Sequence, residues 1–229
     1  MKFRSKRYVE SGKLVDKSKE YGVKEAVSIV KACKQAKFDE MVDIVMKLGV
    51  DPKHSDQLVR GSFSLPKGIG KEVRVVVFAS GEDKLGLART AGAVEAGSDD
   101  LLKKVEGGWL DFDVAIATPD MMGKVGKLGR VLGPQGKMPS PKSGTVTNDI
   151  LNAVKEFKEG KIEYRTDAGG NVHVPVGKVS FHDEDLIENI ESFIKHIVGN
   201  RPPAAKGTFV QKISISSSMG PGVRVALAA

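Results

Sequence analysis

Cysteine occurs once, at Cys33, so the chain cannot close an internal disulfide, which points to a reducing compartment. Aromatic residues make up only 6% of the sequence. That is too few for a surface whose main work is to stack successive single-stranded bases, and recognition through backbone and shape is the alternative. No apolar run approaches the ~20 residues that span a bilayer. The basic N-terminus also lacks a following apolar stretch of the kind that makes a secretory signal. The expectation is a cytoplasmic chain with no membrane partner.

Carboxylates are missing from three stretches. None stands between Asp120 and Asp149, where Lys124, Lys127, Arg130, Lys137 and Lys142 sit among glycines and prolines. None stands in the first nine residues, which hold Lys2, Arg4, Lys6 and Arg7. After Glu191 no acid follows, while Lys195, Arg201, Lys206, Lys212 and Arg224 do. A net charge of +7 is a modest average, but charges sorted into blocks create surfaces that attract polyanions. Glycine permits close backbone approach and proline fixes loop direction. The 121–148 segment is therefore expected to lie against phosphates instead of building a core.

Signatures of catalysis are also lacking. No Gly-Lys pair has the spacing of a phosphate-loop NTPase. Gly68-Ile69-Gly70 precedes a strand pattern where a dinucleotide fingerprint would follow one. His54, His173, His182 and His196 are scattered without metal-ligand spacing, so neither a metal nor a cofactor is expected. The Gly-Lys-Val-Gly and Gly-Lys-Leu-Gly steps at 123–129 resemble the short GXXG loop that clamps a nucleic-acid backbone. Glycines that allow close packing of a helix face explain them equally well.

What is present is a chain of 229 residues, 40% hydrophobic and 28% charged, enough for one large or two ordinary domains. Val23, Ala26, Val27, Val30 and Cys33 share the face of a helix over 22–37. Val42, Ile44, Met46 and Leu48 alternate with polar residues as in a half-buried strand, and 58–65 reads as a second strand. The style then changes: 73–79 is nearly continuous Val and Phe, the mark of a strand covered on both faces. Helices over 85–96 and 99–105, a strand over 112–117 and a helix over 148–158 complete an α/β unit. Alternation returns in Ile162 and Tyr164 and in Val172, Val174 and Val176, joined by an Asp167–Gly170 hairpin turn. Asp183 caps a helix faced by Leu186, Ile187, Ile190, Phe193, Ile194 and Ile197, and Ile213 and Ile215 mark a last strand. The economical arrangement is a split α+β domain from both chain ends, 1–66 and 160–229. Into it an α/β, Rossmann-like domain is inserted over 67–159, with a glycine-bearing hinge at Pro66, Gly68, Gly70 and Gly160.

Three stretches carry a family resemblance: KFDEMVDIVMKLGVDPKHSDQLVRGSFSLP from Lys37, LGRVLGPQGKMPSPKSGTV from Leu128, and AKGTFVQKISISSSMGPGV from Ala205. In this order, within a match running from about Arg7 to Val225, they resemble the bacterial type of the ribosomal protein L-one family. That family forms the mobile side stalk of the large ribosomal subunit. The resemblance implies a structural, non-enzymatic protein that grips an rRNA stalk junction and helps deacylated tRNA leave the exit site. It also implies repression of the protein's own operon mRNA. The family's rRNA-facing surface corresponds to Lys37, Phe38, Glu40, His173, Lys206, Ser218, Met219 and Gly220. A second RNA contact corresponds to Arg130, Gly133, Pro134, Gly136 and Lys142. Gln135 departs from the family's usual basic residue, Leu58 and Ser140 from a frequent asparagine, and Ser218 from a common threonine. The rival expectation is a non-specific basic RNA-binding protein or chaperone.

Overall fold

The computed structural model describes residues 4–33, 36–54 and 56–226. In chain order the elements are α1 (Lys6–Lys13), α2 (Val23–Ala32), β1 (Met41–Leu48), β2 (Arg60–Ser64), β3 (Val75–Phe78), α3 (Glu82–Thr90), β4 (Glu95–Gly97), α4 (Asp99–Glu106) and β5 (Val114–Ala117). After them come α5 (Met122–Val125), α6 (Gly129–Leu132), α7 (Ile150–Glu159), β6 (Lys161–Arg165), β7 (Asn171–Lys178), α8 (Asp183–Gly199), β8 (Val210–Ser217) and β9 (Val223–Val225). The protein is mixed α/β. Its contacts divide into two compact units, one made of the chain up to Gly70 and from Glu163 onward, the other of Lys71–Ile162.

The first unit is built on an antiparallel sheet ordered β7-β1-β8-β9. Strict alternation along β1 sends Val42, Ile44, Met46 and Leu48 to a covered face, where each is no more than 1% exposed. Val172, Val174 and Val176 from β7 and Ile213 and Ile215 from β8 join them. Helices α2 and α8 close this face, α2 through Ala26, Val27 and Val30, α8 through Leu186, Ile190, Phe193 and Ile197. Pro175 has no N–H to give a ladder, and it is tolerated because β7 is an edge strand.

Several expected boundaries move. α2 stops at Ala32 and Cys33 is its buried C-cap, short of the predicted 37. The Asp167–Gly170 turn forms, with the Gly170 N–H donating to the Asp167 carbonyl at 3.0 Å, but no hairpin ladder follows it. β6 pairs with β2 while β7 pairs with β1, and a single Thr166–Val172 bridge joins the two arms. His182, not Asp183, occupies the N-cap of α8, and the Asp183 carboxylate instead takes the Lys31 ammonium. α1 and β9 were not anticipated by the pattern.

The second unit holds a parallel sheet ordered β4-β3-β5. β3 is buried along its whole length, as a strand covered on both faces must be. One face packs Val76, Phe78, Ala115 and Ala117 against Leu101, Leu102 and Val105 of α4. α3 and α7 pack together, and α7 lies on β3 and β5. The helix expected over 85–96 ends at Thr90: Gly92 turns to φ 86° and donates to the Arg89 carbonyl, and Glu95–Gly97 becomes β4. Helix-favouring Ala and Glu hid this three-residue strand. A second correction concerns 121–148. Met121, Val125, Leu128 and Leu132 are at most 3% exposed and complete the α4 side of the core, so this basic segment does build core. Its GXXG steps lie within short helical turns of α5 and α6, not in a loop.

The chain reaches the second unit through Pro66–Gly70, and here sequence pattern missed the controlling residue. Asn189, fully buried on the apolar face of α8, accepts from the Lys67 N–H at 3.1 Å. Its amide donates to the carbonyls of Gly68 at 3.0 Å and Val176 at 2.8 Å. Gly70, at φ 67°, could carry no Cβ without meeting Phe181 at 2.6 Å. Pro66 is exposed, but Gly68 is buried and fastened, which is not the environment of a freely turning hinge residue. Gly160, at φ 121°, ends α7.

Candidate nucleic-acid interface

At one end of β1 and β8 two loops are stitched together. The Ser218 N–H donates to the Met41 carbonyl at 3.0 Å, and the Met41 N–H donates to the Ser218 hydroxyl at 3.1 Å. Beneath them lies Glu40, 1% exposed, whose carboxylate accepts from Ala36 N–H at 3.3 Å and Met219 N–H at 3.0 Å. Glu40 therefore does not face outward with its predicted neighbours; it is the strut under them. Burial alone would raise its carboxyl. The Ser217 side chain, the two N–H groups and the charge of Arg7 outweigh that and hold it below the ordinary glutamate range. The side chains this strut supports are open to solvent: Phe38 is 52% and Met219 54% exposed, with Lys37 and Ser218 exposed beside them in sequence. A Cβ at Gly220 would stand 2.5 Å from the Ser217 hydroxyl, which would have to turn aside.

The remaining predicted residues are spread along the sheet. His173 pairs with Val45 in the ladder, on the face opposite the two helices, and its Nε2 lies 3.4 Å from Asp167. Asn171 and two backbone N–H groups hold the Asp167 carboxyl well below its ordinary range. Lys206 lies near the far end, in a loop whose Ala205 and Gly207 carbonyls accept from Arg201 at 2.8 and 3.0 Å. Arg201 is thus committed to shaping that loop. Met41 to Leu48 spans roughly 23 Å at ~3.3 Å per residue, so the predicted set forms a strip and not a single cluster. Between its ends the open face presents Asp43, Val45 and Lys47 of β1, Lys212, Ser214 and Ser216 of β8, and Arg224 of β9. Sequence reasoning singled out none of these as site residues, although the alternation that defined the core face defines this one equally. Asp43 is half-buried among them, and burial holds its carboxyl above the ordinary range against the opposing charge of His173.

In the second unit Arg130, Gly133, Pro134, Gly136 and Lys142 are all exposed, as is Gln135. The cations of this segment do not act alike. Lys124 is paired with Asp99 at 2.6 Å, and Lys137 donates to the Leu110 carbonyl at 2.9 Å while lying over the Phe112 ring. Lys127, Arg130 and Lys142 have no carboxylate partner among the described residues. Below them a small polar lock fixes the 140–145 turn: the buried Ser143 hydroxyl donates to the Ser140 carbonyl at 3.1 Å, and Thr145 Oγ1 accepts from the Ser140 N–H at 2.8 Å.

Among the described residues no group of His, Cys, Asp and Glu could hold a metal ion, and no helix is long and apolar enough to cross a membrane. A cationic strip on an open sheet, floored by a buried strut, is suited to holding a polyanion in one register. The sequence model of the ribosomal protein L1p/L10e family matches residues 30–221, which include β1 to β8 and the Ser218–Gly220 turn. The chain belongs to that family, whose members are structural, RNA-binding proteins of the large ribosomal subunit.

Proposed function

We propose that this protein binds the rRNA junction of the mobile side stalk through the loops stitched over Glu40 and the open sheet beside them. The observation that carries this reading is the exposed pair Phe38 and Met219, held on a pre-ordered base. Apolar groups kept in water at the end of a cationic strip fit ribose faces of a folded RNA, while Ser218 can bond 2′-hydroxyls. Lys37, Lys206 and the lysines of the face position phosphates without reading sequence. Glu40 orients Met219 and touches no RNA.

In the same reading the two compact units are domains, the 71–162 unit being a Rossmann-like insertion that turns about Gly70 and Gly160. Lys127, Arg130 and Lys142 then offer a second, weaker contact, with Gln135 contributing no charge. Turning of the insertion would guide deacylated tRNA from the exit site. An mRNA copy of the junction would let the protein repress its own operon in the cytoplasm.

The test is a salt-titrated affinity for the stalk-junction RNA beside a plain duplex of equal length. A preference near 10³-fold that persists as salt rises supports the reading, because selective contacts are not counterion-driven. Phe38→Ala and Met219→Ala should each lower junction affinity about tenfold without changing the salt slope. Equal affinity for both RNAs, falling together with salt, would instead make the protein a non-specific polyanion binder.

A further inference from the structure

Beside the Ser218–Gly220 turn lies a groove of about 290 Å³ that none of the predicted site residues line. Tyr8, Gly12 and Pro221 line it together with Arg4, Lys13 and Lys17. Three cations line it and no acid does. α1 helps to explain the separation of charge: Tyr8 and Gly12 lie four residues apart on one face, and Arg4, which precedes the helix, reaches back to the Tyr8 ring. Glu10, two positions past Tyr8, is turned ~200° away. The Arg4 guanidinium sits 4.5 Å above the Tyr8 ring centroid, so a cation lies over an aromatic face. None of Arg4, Lys13 and Lys17 has a carboxylate partner among the described residues.

Two features tie the groove to the RNA-reading end of the sheet. Pro221 directly follows Gly220, and Arg7 on α1 is near enough to Glu40 to draw its carboxyl downward. We infer that the groove is a further subsite for the same RNA, taking one nucleotide that continues past the Met219 turn. The two phosphates flanking it meet Arg4, Lys13 and Lys17, and the sugar or base lies on Tyr8. This rests on the stalk-junction reading. The chemistry selects a nucleotide because the volume is close to the ~300 Å³ at which small-ligand sites begin. Cations beside an aromatic ring also match the backbone-and-stacking mode of single-stranded recognition.

The test uses the full chain, with Arg4→Gln/Lys13→Gln/Lys17→Gln combined and with Tyr8→Ala and Tyr8→Phe, on junction RNA and on plain duplex across a salt series. The three cations are exposed, so the combined variant should keep the wild-type thermal midpoint. Each lost phosphate contact removes about 0.7–0.9 from the slope of log K against log salt. The combined variant should therefore bind junction RNA 10–100-fold more weakly, with a slope shallower by about two. Tyr8→Ala should cost about tenfold at unchanged slope, and Tyr8→Phe should restore it. If the wild type prefers the junction but the combined variant keeps its affinity and slope, the subsite is refuted and the stalk reading survives. If the wild type shows no preference, the stalk reading fails. The slope on plain duplex then decides the groove: a fall of about two retains it as a backbone site, and no change refutes it.

Discussion

Replacing Glu40 with glutamine separates two roles that have opposite signs. A carboxylate facing RNA repels phosphate, so neutralising it would tighten binding. A carboxylate buried under the Met219 turn holds two N–H groups, so neutralising it would loosen the turn. In the structure the second geometry holds, with acceptor distances of 3.3 Å to Ala36 N and 3.0 Å to Met219 N. Hydrogen bonds to a charged group contribute ~1.5–3 kcal/mol net, against ~0.5–1.5 for neutral partners. Glutamine can accept from one N–H, losing ~1 kcal/mol there, but its NH₂ faces the other donor and leaves it unpaired at a cost of ~1–3 kcal/mol. Glu40→Gln should thus destabilise the protein by roughly 2–4 kcal/mol in urea unfolding at pH 7. It should weaken junction binding about tenfold with no change of salt slope, since no phosphate-binding cation is removed. The pH dependence follows from the lowered carboxyl. Its stabilisation is fully present above the ordinary glutamate value and is lost as pH falls through the lower folded value. Wild type and variant should therefore converge in acid, below about pH 4. Tighter RNA binding by Glu40→Gln, or an unfolding midpoint equal to wild type, would refute the strut.

Asn189→Leu should cost ~3–5 kcal/mol, because it strands the Lys67 N–H and the Gly68 and Val176 carbonyls under apolar cover. A loss under ~1 kcal/mol in urea unfolding would show that water replaces the amide. His196 stacks on Phe63 at 4.5 Å between centroids and has Tyr164 Oη 2.8 Å from Nε2, and burial lowers its pKa. Its contribution is fully present above the ordinary histidine value near 6.5 and is lost as pH falls through the lower folded value. Wild type should therefore lose stability as pH falls below about 6.5 in a way that His196→Phe does not, read from urea midpoints along a pH series.

Strong periodicity made most elements legible. β1, β6, β7 and α8 each carry enough apolar residues at one spacing that no alternative pattern competes. What pattern could not reach was anything decided by partners distant in the chain. β4 is three residues long and exists because Val76–Phe78 lies beside it. Asn189 reads as a polar interruption of an apolar face until Lys67 and Gly68, over a hundred residues earlier, are brought to it. The site divided in the same way. Phe38 and Met219 came from family resemblance, since an isolated phenylalanine is ordinarily core. The place of Glu40, named as outward-facing, depended on Met219, 179 residues on. Arg201 and Lys137 looked like free cations, and only the carbonyls they bind show otherwise.

The order of strands in the first sheet also sets a timetable for synthesis. β1 lies between β7 and β8, yet about 120 residues separate Leu48 from Asn171 and about 170 separate it from Ser217. At ~5–20 residues per second, the apolar edge of β1 waits roughly 10–30 s for both neighbours to emerge. During that interval the contiguous 71–162 unit has already been synthesised in full. A newborn chain therefore carries an unpaired strand throughout the synthesis of its middle, and Val42, Ile44 and Met46 are the residues a holding chaperone would meet.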